Sequence, residues 1–146
     1  MELIIFTGIQ GSGKSTFYKQ EFFNSHIRVS MDLLNTRNKE NKLLEFCFQT
    51  QSKIVIDNTN PTIKEREKYI SLGKRFKYEI KSYFFDSSLE ENWERNNQRK
   101  GKEKIPMVGL KSFLKNLEIP KPEEGFDKLY NVTLVNDIFV TNEIVL

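Results

Sequence analysis

Residues 3–15 leave few folds open. The apolar run Leu3-Ile4-Ile5-Phe6-Thr7 leads straight into Gly8-Ile9-Gln10-Gly11-Ser12-Gly13-Lys14-Ser15, and a helix-like stretch begins at Lys14. The octet is an unbroken match to G-x-x-x-x-G-K-[ST], a loop that cradles phosphate between a strand and a helix. Its glycines let the backbone turn so that successive N–H groups converge on phosphate oxygens, and the helix N-terminus adds partial positive charge. In that pattern the lysine, here Lys14, reaches the β- and γ-phosphates, and the Ser15 hydroxyl ligates Mg²⁺. Gly8, Gly11, Ser12, Gly13, Lys14, Ser15 and Thr16 therefore read as the ATP-phosphate site. A glycine turn that merely joins strand to helix is the alternative, and the strand-loop-helix context weighs against it.

The rest of the chain repeats the same alternation. Strand-like runs fall at Leu3 to Thr7, Ile27 to Ser30, Ile54 to Asp57 and Tyr78 to Asp86, with a weaker pair around Leu129 to Val135 and Ile138 to Val145. Helix-like stretches lie between them at Lys14 to Asn24, Leu33 to Ser52, Thr62 to Arg75, Leu89 to Arg99 and Met107 to Leu117. Alternating strands and helices predict an α/β fold: a mostly parallel sheet, five strands wide, with helices on both faces as a three-layer sandwich. Pro61 is expected in the first turn of the third helix, where its missing N–H costs nothing. At 146 residues the chain is expected to be one domain, 1–146.

Composition removes other chemistries. One cysteine, Cys47, and one histidine, His26, leave no internal disulfide, thiolate zinc cluster or multi-histidine metal site. Any hydrolytic triad would rest on His26. No apolar run approaches the roughly 20 residues of a membrane span, and a secretory leader pattern is lacking, so no membrane partner and a cytoplasmic location are expected. The formal net charge is +3 and permits a phosphate-bearing partner. That charge is concentrated: Arg95 to Lys104 holds five basic residues and one acid. Arg95 and Arg99, four apart, share a helix face and suit a small helical lid over about 95–106 that stabilises a transferring phosphoryl group. A solvated basic helix end explains the segment equally well on its own.

Three further polar positions stand at strand ends, where open α/β sheets bind ligands. Asp32 follows the second strand; it is either the base that takes a proton from an attacking hydroxyl or a helix N-cap. Asp57 ends the third strand and suits a Mg²⁺ contact beside the loop, with a turn aspartate as the alternative. Asn58, Thr59 and Asn60 extend that strand end and are candidates to bind substrate or tie loops together. Phe17, Phe22 and Phe23 are expected to pack on the sheet, Trp93 in the core or lid, His26 in a loop, and Cys47 near the core as an inert thiol.

These residues together resemble a known family, the kinase domain of polynucleotide 5′-hydroxyl kinases and related small phosphate-loop kinases. The resemblance runs from about Leu3 to Tyr130. It is carried by Gly8 to Thr16, Ser30-Met31-Asp32, Ile56-Asp57-Asn58-Thr59-Asn60-Pro61, Glu94-Arg95-Asn96 with Arg99, Ile105-Pro106, and Pro122-Glu123-Glu124-Gly125-Phe126. It implies a phosphate-loop NTPase fold and ATP- and Mg²⁺-dependent transfer to a DNA or RNA 5′ end. Asp32 would be the general base, with Lys14 and Arg99 on the phosphates. One position departs: the family often carries an arginine three residues after the base, where this chain has Asn35, leaving Arg37 as the candidate replacement. Asn35, Arg37 and Asn60 are accordingly the candidate substrate contacts. The D-x-D-G-T phosphatase signature is missing, so 3′-end processing would fall to separate proteins. A small-molecule kinase on the same scaffold, or a nucleotide-dependent binding module with little transfer, are the competing readings.

Overall fold

The computed structural model describes residues 1–87 and 107–146. Helix Leu89 to Arg99, the lid at 95–106 and Trp93 lie outside the described residues. The described elements run in the order β1 (Glu2–Gly8), α1 (Lys14–Glu21), β2 (Ile27–Val29), α2 (Met31–Leu34), α3 (Arg37–Gln49), β3 (Ile54–Ile56), α4 (Ile63–Arg75), β4 (Glu79–Phe85), α5 (Met107–Asn116), a 3-10 turn (Pro122–Glu124), β5 (Lys128–Val135) and β6 (Ile138–Ile144). They form one sheet in the order β2-β3-β1-β4-β5-β6. The first five strands of that order are parallel, and β6 runs antiparallel to β5.

The sheet thus has six strands, where five were expected. Asn136 and Asp137 both take left-handed conformations, φ 50° and 62°, and close a two-residue hairpin. With no crossover helix, the last segment can only return antiparallel beside β5.

Strand alternation in β1 builds two cores. Leu3 and Ile5 face one side with Val29, Leu44, Phe48, Tyr69 and Ile80. Ile4 and Phe6 face the other with Phe17, Phe22, Phe85 and Val132, in a cluster of edge-on aromatic rings. Because β1 is covered on both faces, it is a continuous apolar run rather than an alternating one. Phe23 does not join this packing; α1 ends at Glu21 and leaves the ring 67% exposed. Cys47 is fully buried as expected, and burial pushes its thiol up to about 11.

Two helix boundaries also differ from expectation. The single helix over Leu33 to Ser52 is two helices, α2 and α3. Asn35 stops the first at φ 65°, and Thr36 caps the second by accepting from Lys39 N at 3.2 Å. At α4 the N-cap is Thr62, whose side chain and Glu65 form a reciprocal capping box. Pro61 therefore precedes the helix instead of sitting in its first turn.

Candidate active site

The phosphate loop sits at the carboxyl end of β1, and its conformation explains its glycines. Gly13 has φ 96°, a left-handed cap from which α1 springs at Lys14. Gly8 is packed so closely that an added Cβ would lie 2.8 Å from Phe85 Cβ and 2.9 Å from Ser12 Oγ. Lys14 Nζ donates to the carbonyls of Gly8 (3.0 Å) and Ile9 (3.1 Å), so its ammonium folds over the loop. Gly11 lies in the loop, and Thr16 is exposed on the first turn of α1. Ser12 Oγ is buried without a hydrogen-bond partner. An orphaned hydroxyl in a loop of converging N–H groups fits an anionic phosphate that supplies the missing acceptor. On one flank of the loop, Ile9, Phe84, Phe113, Leu114 and Leu117 help to line an apolar cavity of about 150 Å³.

The two residues expected to hold metal are in contact. Ser15 Oγ donates to Asp57 Oδ2 at 3.0 Å, although the two are 42 residues apart. Asp57 is buried at the end of β3, and Arg28 of β2 also donates to its Oδ2, from Nε at 2.7 Å. Hard oxygen donors of this kind suit Mg²⁺, which keeps several waters and is held by few protein groups. Among the described residues no group of three or more His, Cys, Asp and Glu forms a protein-only metal cage.

Asp32 is exposed on α2. The N-cap position of that helix is Ser30, so Asp32 is not the cap. The helix is anchored next to Asp57: Met31 N donates to Asn58 Oδ1 at 2.9 Å, and Asn58 Nδ2 donates to Tyr69 OH at 3.2 Å. The Tyr69 hydroxyl in turn donates to Glu40 Oε2 at 2.7 Å. Glu40 is wholly buried. Burial opposes its ionisation, but hydrogen bonds from Lys68, Tyr69 and Arg37 outweigh that and hold its carboxyl below the usual range. Burial, with the hydrogen bond to Glu40, raises the Tyr69 phenol. A chain of polar contacts therefore runs from the α3–α4 interior to the helix that carries Asp32.

The three candidate substrate residues separate. Asn35 is exposed and closes α2, its Nδ2 donating to Leu33 O at 3.3 Å. Asparagine tolerates the left-handed conformation there better than arginine does. Arg37 Nη1 is tied to Glu40 (3.0 Å) and to Tyr69 OH (3.3 Å), while most of the side chain stays exposed. Asn60 is buried at φ 45°, and its Nδ2 donates to Phe6 O at 2.9 Å. Its amide thus holds the end of β1 just before the phosphate loop. Arg95 and Arg99 lie outside the described residues.

Sequence reasoning missed two arginines. Arg28 is one; strand alternation in Ile27-Arg28-Val29 sends the two apolar neighbours to the α3 side and Arg28 toward α1, a signal that was available. Arg66 is the other. It is fully buried, pairs Nε with Glu124 Oε1 (2.8 Å) and Nη2 with Oε2 (2.9 Å), and donates to the carbonyls of Asn60 and Glu118, each at 2.8 Å. The Glu-Glu-Gly-Phe element thus braces the turn after Asp57 from behind.

Known proteins are similar to this chain in sequence and in fold. The AAA domain family matches residues 28–120. A bifunctional polynucleotide phosphatase/kinase of Schizosaccharomyces pombe is 31% identical over 136 residues, covering 90% of this chain and 33% of that protein. A putative bifunctional polynucleotide phosphatase/kinase of Acanthamoeba polyphaga mimivirus is 30% identical over 143 residues, covering 93% of this chain and 34% of that protein. The chain therefore spans about a third of the length of these curated relatives. Among solved structures, Chaetomium thermophilum Kti12 in complex with ADP-AlF3 superposes with a TM-score of 0.67 at 17% identity, covering 90% of this chain and 88% of that one. A gluconokinase of Sinorhizobium meliloti superposes at 0.65 and 18% identity, covering 90% and 82%. Among the described residues no helix is long and apolar enough to cross a membrane. The chain belongs to the AAA domain family, and over most of its length it is similar to proteins named as polynucleotide phosphatase/kinases.

Proposed function

We propose that this chain transfers the γ-phosphoryl group of Mg²⁺-ATP to the 5′-hydroxyl of a DNA or RNA end. The observation that carries this reading is the Ser15–Asp57 contact beside the Lys14 loop, with the helix of Asp32 anchored through Asn58, the next residue after Asp57. The two curated relatives, named for polynucleotide phosphatase/kinase activity, support the choice of acceptor.

The loop N–H groups and Lys14 bind the phosphates, and Ser12 Oγ gains the acceptor it lacks in the fold. Ser15 and Asp57 would hold Mg²⁺, which when bound draws negative charge from the phosphates and orients them. The Asp32 carboxylate accepts the proton of the attacking hydroxyl. The oxygen of that acceptor hydroxyl forms the new O–P bond as the bond from the γ-phosphorus to the β–γ bridging oxygen breaks and ADP leaves. Arg99, with Arg95, is assigned to the γ-phosphoryl charge from a lid over about 95–106, within one domain spanning 1–146.

One observation favours a second reading. Asn35 stands where the family's phosphate-contacting arginine is expected, and Arg37 is bonded to Glu40 and Tyr69, so the described surface beside Asp32 offers no unpaired arginine. A small hydroxyl acceptor needs none. Incubation with γ-labelled ATP and a 5′-hydroxyl oligonucleotide, beside a panel of sugars and nucleosides, separates the two. Label in the oligonucleotide, weakening steeply with salt, is the expected result; label only in small acceptors overturns the nucleic-acid reading.

A further inference from the structure

Arg28 occupies the oxygen pair assigned to the metal. Its Nε donates to Asp57 Oδ2 at 2.7 Å and its Nη2 to Ser15 Oγ at 3.0 Å, while Ser15 itself donates to the same Oδ2 at 3.0 Å. The guanidinium lies 6.0 Å from the centre of the Tyr18 ring, and the Tyr18 hydroxyl is bonded to the His26 carbonyl, so the aromatic neighbour is fixed in place. The Asp57 side chain is 2% exposed and that of Arg28 is 23% exposed. The carboxylate is therefore sealed in, whereas the guanidinium can leave toward solvent.

A buried carboxylate with no counter-charge is strongly disfavoured, so something cationic must sit on Asp57 whether or not metal is bound. Arg28 satisfies this in the protein alone. A divalent cation on Ser15 Oγ and Asp57 would stand within a few ångströms of the guanidinium, and like charges at that range repel strongly in a partly buried site. We infer that Arg28 and the divalent cation are alternative occupants of the Ser15–Asp57 pair. Arg28 is then a positioning residue: it keeps the two oxygens together before metal arrives, is displaced when metal and nucleotide load, and sets the metal affinity by that competition. The inference rests on the metal assignment to Ser15 and Asp57.

The test is Mn²⁺ binding to the full chain in the presence of ADP, read as loss of the free-ion EPR signal. Arg28→Gln should bind Mn²⁺ about ten-fold more tightly than the unaltered chain, the effect expected when a repelling unit charge is removed. Equal or weaker binding by Arg28→Gln overturns the competition. If neither protein binds Mn²⁺ with ADP present, the metal assignment fails and the inference with it. Should Arg28→Gln fail to fold, the unaltered chain carries the test through its arginine Nε–H NMR signals. The Arg28 signal, slowed in solvent exchange by its bond to Asp57, should move and exchange faster on adding Mg²⁺ with ADP but not ADP alone. A signal indifferent to Mg²⁺ contradicts the displacement.

Discussion

Two arginines of this molecule each meet a buried carboxylate, and they differ in what they have left to give. Arg66 places four hydrogen bonds from its five N–H donors, two on Glu124 and one each on the carbonyls of Asn60 and Glu118, and it is fully buried. Arg28 places two, and one of its acceptors is the Ser15 hydroxyl of the phosphate loop. The first pair has one N–H donor left over and no path to water. The second is accessible and shares its oxygens with a loop that binds ligand. The same guanidinium–carboxylate chemistry thus serves as a permanent brace in one region and an exchangeable contact in the other, with burial and donor saturation deciding which.

Breaking the brace gives the largest expected effect. Arg66→Ala leaves Glu124 buried and unpaired and frees the Asn60 turn, so urea denaturation should show a loss of about 3–5 kcal/mol. Against a total stability of about 5–15 kcal/mol, that is enough to unfold a good part of the population. The matching change at the loop, Arg28→Gln, should cost less in the same assay, about 1–3 kcal/mol, because Ser15 still bonds Asp57 and the glutamine amide can donate to the carboxylate in place of the guanidinium. A larger loss for Arg28 than for Arg66 would reverse the contrast.

Asp57→Asn sharpens it from the carboxylate side. Arg28 and the proposed metal would both lose their charge partner, so Mn²⁺ affinity in the presence of ADP should fall about 10- to 100-fold while the fold persists by circular dichroism. The equivalent change at Glu124 should show in thermal stability instead.

A smaller effect concerns a third buried carboxylate, Glu40, whose folded value is held below the 4.5 of a free side chain by hydrogen bonds from Lys68, Tyr69 and Arg37 that overcome burial. Its contribution to stability is complete above pH 4.5 and is lost as pH falls through the lowered folded value. The acid limb of the stability profile should therefore flatten in Glu40→Gln. His26 adds the smallest term. Burial lowers its value below 6.5 despite the nearby Glu2 carboxylate, so it is neutral in the fold and donates from Nε2 to Glu2. Its contribution is complete above pH 6.5 and lost on acidification, and His26→Gln should shallow the slope just below that pH.

Much of the fold was legible because local signals and the global pattern agree. The loop glycines, the two-sided apolar β1 and the Thr62–Glu65 capping box each state their role in a few adjacent residues. What was not legible is long-range pairing. Nothing near Glu124 in the chain says that it meets Arg66, 58 residues away. The Asp57–Ser15 contact was anticipated only as two separate metal candidates. Asn60 was read as either a substrate contact or a tie between loops, since a polar side chain at a strand end suits both, and its amide donates to the Phe6 carbonyl. The sixth strand was legible as the weak run at Ile138 to Val145 but was left out of a sheet expected to be five strands wide; Asn136 and Asp137, residue types that tolerate positive φ, close the hairpin that adds it beside β5.

The central claim is that Asp32 takes the proton of a nucleic-acid 5′-hydroxyl while the loop holds ATP. Its most direct test compares the unaltered chain with Asp32→Ala for label transfer from γ-labelled ATP to a 5′-hydroxyl oligonucleotide, beside ATP binding by calorimetry. Transfer should fall at least about 100-fold with ATP affinity nearly unchanged. Transfer retained in Asp32→Ala, or transfer and ATP binding lost together, would contradict it.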